Sequence, residues 1–168
     1  MSYREIKPGV YWIGALDPNL RVFDVIMRTE WGTTYNSYLV KGSEKVALIE
    51  LVKEPFTQEY INTIKQLVDP KDIDYIILNH TEPDHSGALE DFLQEAVNAT
   101  VVGSRIALNL AKEIANRDFA EMPVKDENYL DLGGKTLKFI SAPFLHWPDS
   151  MFTYLEEDGI LFSGDVFG

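Results

Sequence analysis

Asn79-His80-Thr81-Glu82-Pro83-Asp84-His85-Ser86-Gly87 places four potential metal ligands within six positions, directly after the short apolar run Ile73 to Leu78. Two imidazoles and two carboxylates so crowded would repel and desolvate one another without a cation. A divalent metal turns the same crowding into coordination. Pro83 is unfavourable inside a helix, so the segment is expected to be an irregular loop aiming alternate side chains at two centres, with a helix starting near Ser86 as its anchor. Two further candidates stand far downstream, each just past the end of an expected strand: His146 in Phe144-Leu145-His146-Trp147, and Asp165 in Phe162-Ser163-Gly164-Asp165. The chain has three histidines, and His80, His85 and His146 all fall in this pattern.

Around the loop, the first third reads as an antiparallel meander. Val10 to Ala15, Arg21 to Arg28, Thr34 to Lys41 and Lys45 to Leu51 are rich in β-branched and aromatic residues, with Asp-Pro, Trp-Gly and Gly-Ser turn signals between them. Phe56 to Val68 carries apolar residues at helical spacing and stops at Asp69-Pro70. Ile73 to Leu78 suits a buried strand and Ser86 to Ala96 a helix. Val101 to Gly103 follows as a brief strand, then a helix over Arg105 to Asn116 with Leu110, Ala111 and Ile114 inward. Lys135 to Ala142, Met151 to Glu156 and Ile160 to Ser163 return to antiparallel strands, with Gly133-Gly134 and Asp158-Gly159 as hairpin turns. The fold class is layered α/β, mixed sheets with helices outside.

Composition narrows the function. The 168 residues, 45% of them hydrophobic, make one globular domain spanning residues 1–168. Twenty-seven acidic against fifteen basic residues give a net charge of -12, a field that repels nucleic acid and anionic lipid. Neither a membrane span nor a signal peptide is evident, so the expected compartment is the cytoplasm. With no cysteine, any metal must be held by nitrogen and oxygen. Asn79, Thr81 and Ser86 suit either ligand orientation or ordinary capping. Phe144, Leu145, Trp147 and Phe152 suit either core or the wall of a dry pocket.

A His-x-x-x-Asp-His segment after a strand, followed by a distant His and a distant Asp, resembles the metallo-β-lactamase superfamily, whose hydrolases hold zinc. Glu82 stands where those hydrolases have their second histidine. With it, the pattern is similar to that of flavodiiron proteins, which reduce dioxygen to water or nitric oxide to nitrous oxide. The resemblance implies an αββα sandwich, of which this chain covers about the first two thirds. It also implies a di-iron centre in which His80, Glu82 and His146 bind one iron, Asp84 and His85 the other, and Asp165 bridges them. A carboxylate at Glu82 is a hard anionic ligand that favours iron.

By the same resemblance, a further histidine ligand and a flavodoxin-like domain lie beyond position 168, so the chain is expected to be part of a longer protein. FMN would then come from that missing domain or from the facing subunit of a homodimer, with rubredoxin or a flavin domain as redox partner. Two other readings stay open: a dizinc hydrolase of glyoxalase II or β-lactamase type, and a non-catalytic di-iron module that binds or senses oxygen. If the apolar sheet face built here is left without its other half, it is expected to remain in water.

Overall fold

A computed structural model describes residues 3–167; Met1, Ser2 and Gly168, which the expected domain span includes, lie outside the described residues. The chain opens with β1 (Arg4–Lys7) and β2 (Val10–Trp12). Two short ribbons follow, β3 (Ala15–Asp17) paired with β6 (Thr33–Tyr35), and β4 (Val22–Phe23) paired with β5 (Met27–Arg28). The main sheet continues through β7 (Tyr38–Lys41), β8 (Val46–Ile49), β9 (Tyr75–Leu78), β10 (Thr100–Gly103) and β11 (Glu121–Pro123). Its order is β1-β2-β7-β8-β9-β10-β11, antiparallel up to β8 and parallel from β8 onward.

The parallel half is built from near-continuous apolar runs because both of its faces are covered. Side chains alternate between them. Leu48, Ile76 and Val101 face helices α1 (Thr57–Ile64), α3 (Leu89–Glu95) and α4 (Arg105–Ala115), while Ala47, Ile49, Ile77 and Val102 face a second sheet. That second sheet is the antiparallel set β12 (Tyr129–Asp131), β13 (Thr136–Ser141), β14 (Met151–Leu155) and β15 (Ile160–Phe162). Leu132, Leu137, Phe139, Met151 and Leu155 close the core between the sheets. The layers are therefore helix, sheet, sheet. On the outer face of the second sheet Tyr129 and Leu161 are exposed and Ile140, Phe152 and Tyr154 half-buried, and among the described residues no helix packs there.

Several expectations need correction. The strand over Arg21 to Arg28 is a hairpin of two short strands, turned by Asp24 and Val25 at φ 47° and 70°. Val10 to Ala15 and Thr34 to Lys41 each divide in two, because the chain leaves the main sheet at Ile13 and Asn36 to form the small ribbons. The inward face of α4 is Ala107, Leu108, Ala111 and Ala115; Leu110 is exposed and Ile114 only partly buried. The helix expected over Ser86 to Ala96 is interrupted and begins earlier, at Pro83. Proline fits the first helical position, where its fixed φ is suitable and its missing N–H costs nothing. Pro83 thus starts the one-turn helix α2 (Pro83–Ser86) instead of breaking it. Asp158-Gly159 lies in a four-residue connection between Leu155 and Ile160, not a two-residue turn.

Candidate metal centre

The ligand-rich segment leaves the C-terminal end of β9, at the middle of the parallel half-sheet, and is pinned along its length. The Asn79 amide donates to Glu50 Oε1, and its side chain spans to the second sheet, donating to the Phe162 carbonyl (3.0 Å) and accepting from the Thr153 hydroxyl (2.7 Å). The Thr81 hydroxyl donates to Asp149 (2.7 Å), and the Ser86 hydroxyl contacts the carbonyls of Thr81 and Glu82, each at 3.0 Å. None of the three uncertain polar residues touches a candidate ligand side chain. Ser86 bonds backbone carbonyls, Thr81 a carboxylate, and Asn79 a backbone carbonyl and a hydroxyl. One turn of helix then carries Asp84 and His85 into the interior.

His146 arrives on the nine-residue loop between β13 and β14. There Phe144 adopts φ 65°, and its amide donates to the Trp147 carbonyl (2.9 Å). Phe144 and Leu145 are exposed, 77% and 58%, so neither serves as core nor lines the cleft. Trp147 packs edge-on against the His80 ring at 6.3 Å. Asp165 follows β15 through Gly164, whose φ of 58° suits glycine and where a Cβ would stand 3.3 Å from His80 Nδ1.

These elements bring all six sequence-derived candidates together. Among the described residues they fall into two groups, His80, Glu82, His146 and Asp165 in one and Asp84, His85 and Asp165 in the other, and a third group joins His80 and His85 to Glu50. In the first, Glu82 Oε2 lies 2.8 Å from His146 Nε2 and 3.5 Å from His80 Nε2, and Asp165 Oδ2 lies 3.5 and 3.8 Å from the same nitrogens. In the second, His85 Nε2 stands 2.7 Å from Asp165 Oδ1 and 3.4 Å from Asp84 Oδ2. Asp165 therefore turns one oxygen to each group. Ligand atoms about 2.0–2.1 Å from a shared metal stand roughly 3.0–3.4 Å apart, and these separations, 2.7 to 3.8 Å, lie to either side of that range.

One carboxylate escaped the sequence reading. Glu50, 2% exposed, closes β8 with φ 59°, and its Oε2 lies 2.9 Å from His85 Nδ1 and 3.7 Å from His80 Nδ1. Facing the Nδ1 atoms, it leaves both Nε2 atoms to the interior of the cluster, the second-layer role that carboxylates take behind metal-bound histidines. The only sequence signal was an acid ending the apolar run Val46-Ala47-Leu48-Ile49.

Electrostatics tests whether the residues fit a cation. Burial disfavours charge on His85, yet Asp165, Asp84 and Glu50 outweigh it and push its pKa up to about 12. Burial likewise opposes charge on His80, but Asp165 and Glu50 raise it above its ordinary value. Asp165, against its own burial, is held well below the usual carboxylate range by His80 and His85. The pocket is thus an acidic cage that recruits positive charge. Buried His80 Nε2 and Asp84 Oδ1 have no hydrogen-bond partner, an expensive arrangement that a metal would relieve. A nitrogen and oxygen donor set of this kind fits iron or zinc. Beside it opens a cleft of about 410 Å³, lined by Phe23, Met27, Thr33 and Asn36 together with Glu82, Asp84, His146 and Asp165.

The pattern of the ODP family beta lactamase matches residues 33–168. The chain belongs to the ODP beta lactamase family. A relative in Clostridium acetobutylicum, "Flavo-diiron protein FprA2", is 49% identical over 98% of this chain and 41% of its own length. Another, "Nitric oxide reductase" of Moorella thermoacetica, is 43% identical over 97% of this chain and 41% of its own. Among solved structures, the rubredoxin oxygen:oxidoreductase of Desulfovibrio gigas superposes with a TM-score of 0.93 at 34% identity, covering 99% of this chain and 41% of that one. This ODP chain thus spans about two fifths of the length of these relatives. Its α/β layers and its kinship with flavodiiron proteins are those the ligand loop implied. Among the described residues no helix is long and apolar enough to cross a membrane.

Proposed function

We propose that residues 1–168 are part of a metallo-β-lactamase-like di-iron domain that reduces dioxygen to water, nitric oxide to nitrous oxide, or both, with electrons from a flavin. In this reading His80, Glu82 and His146 would hold one iron, Asp84 and His85 the other, and Asp165 would be shared between them. The observation that carries it is the division of Asp165, with Oδ1 2.7 Å from His85 and Oδ2 3.5 Å from His146. A lone metal site has no use for a carboxylate shared in this way.

When bound, an iron pair supplies one electron from each ion to a diatomic gas. The protein's part is geometric and electrostatic. Glu50 sets its negative charge against the Nδ1 side of the two buried imidazoles, Glu82 adds negative charge that favours the ferric state, and Gly164 lets Asp165 approach His80 closely. His146, more exposed than the other two histidines, stands at the cleft, where a small substrate would enter. FMN is expected from a flavodoxin-like domain or a partner subunit, rubredoxin is a candidate donor, and the assembly is a homodimer in the cytoplasm. No nucleic acid or membrane partner fits the net charge of -12.

Metal analysis of protein purified without added metal, then anaerobic ferrous loading and a pulse of oxygen or nitric oxide with reduced flavin present, tests this. Iron content and rapid substrate consumption are expected. Zinc content with esterase activity would favour the hydrolase, and a long-lived oxygenated species would favour a sensor.

A further inference from the structure

Asp149 is a buried acid for which neither the ligand set nor the fold has an evident use. It is 1% exposed; Oδ2 accepts from the Thr81 hydroxyl at 2.7 Å, and Oδ1 has no hydrogen-bond partner. Its backbone carbonyl accepts from the hydroxyl of Ser104 (3.0 Å), the residue that caps α4 by accepting from the Ala107 amide (3.1 Å). Asp149 therefore joins three things: the loop that bears His146, the strand end that bears His80 and Glu82, and the start of a well-packed helix.

The placement of this contact matters more than its strength. Thr81 lies between His80 and Glu82, so its hydroxyl is the side-chain group nearest in sequence to both. One residue on the other side of His80, the Asn79 carbonyl accepts from the Met151 amide at 2.8 Å. The segment bearing His80 is thus tied to the segment bearing His146 on both flanks, through the backbone before His80 and through Thr81–Asp149 after it. Within the second tie, a buried carboxylate that meets a single hydroxyl is costly to keep for packing alone. The turn at Asp149 has its own support, since the Trp147 amide donates to the Ser150 hydroxyl (2.9 Å) and the Ser150 amide to the Trp147 carbonyl (3.1 Å). The carboxylate is not needed to close it.

We infer that the Thr81–Asp149 pair is a positioning brace that sets the separation of His80 and Glu82 from His146, and so governs cation affinity at that group while leaving the Asp84–His85 group largely untouched. The inference rests on the metal-binding reading. Loss of such outer supports typically lowers metal affinity by about 10- to 100-fold.

Cobalt(II) alone is the probe, added to metal-free protein and followed by visible absorption and calorimetry. Unaltered protein must first bind cobalt at two distinguishable steps; if it binds none, the metal-binding reading itself fails, and if it binds in a single step, the selective bracing of one group is overturned. Given two steps, Thr81→Val and Asp149→Ala are each expected to weaken one step by about 10- to 100-fold and to alter its absorption bands. The other step keeps its affinity. Thr81→Ser, which retains the hydroxyl, and Asp149→Asn, which retains an acceptor, should restore both to near the native values. Should Thr81→Val fail to fold by circular dichroism, Thr81→Ala takes its place with the same outcomes. The inference is overturned if the hydroxyl-free variant binds both equivalents as the native protein does, if both steps weaken together, or if Thr81→Ser behaves like Thr81→Val.

Discussion

Glu82, the carboxylate by which the ligand loop differs from the zinc-hydrolase pattern it resembles, lies with Oε2 2.8 Å from His146 Nε2. Glu82→His is expected to shift the metal retained on purification from iron towards zinc, read as the iron to zinc ratio by elemental analysis. Behind the first ligands, Glu50→Gln keeps the shape but removes the charge facing both Nδ1 atoms. Metal affinity should fall by about 10- to 100-fold, measured by competition with a chelator. The raised pKa of His85 has its own signature in metal-free protein. Its folded value, about 12, lies above the ordinary 6.5, so its contribution to stability is complete below about 6.5 and is lost as pH rises towards 12. Urea unfolding of metal-free protein should show stability falling across that window, and metal uptake should release protons. The three histidines were legible because strand-end placement and scarcity singled them out. Glu50 was not, since an acid closing an apolar strand gives no hint of what it will face across the sheet.

Strand β9 does two jobs. Ile76 faces the helical core and Ile77 the intersheet core, and its last residue delivers the ligand loop to the edge where β15 also ends. Ile76→Ala should cost about 2–5 kcal/mol in chemical denaturation, because the site lies in a closed core. Ser86→Ala, which strips a buried hydroxyl from the carbonyls of Thr81 and Glu82, should cost about 1–3 kcal/mol and loosen the loop. Element types around β9 could be read from periodicity. Three details could not. Pro83 is ambiguous in sequence because proline disrupts a helix interior yet favours a first turn, and only the three-dimensional path reveals which applies. Leu110 faces solvent because α4 is rotated to press small residues, Ala107 and Ala111, onto the sheet. The strands at Arg21 to Arg28 and Thr34 to Lys41 are broken by departures into small ribbons that alternation alone does not mark.

Over the whole molecule, a net charge of -12 surrounds a cage that already recruits protons. Cation capture should therefore be electrostatically assisted, and the association rate of ferrous iron should drop with added salt, a dependence that stopped-flow mixing can follow. The layered order, helices on one face of the main sheet and a second sheet on the other, puts the ends of β9 and β15 and the turn after β13 at one rim, so ligands from residues 80 to 165 meet there. That convergence is the central claim, and X-ray absorption on anaerobically iron-loaded protein tests it most directly. A nitrogen and oxygen shell with an iron–iron vector at about 3.5–4 Å is predicted; a single iron per chain with no iron neighbour would contradict it.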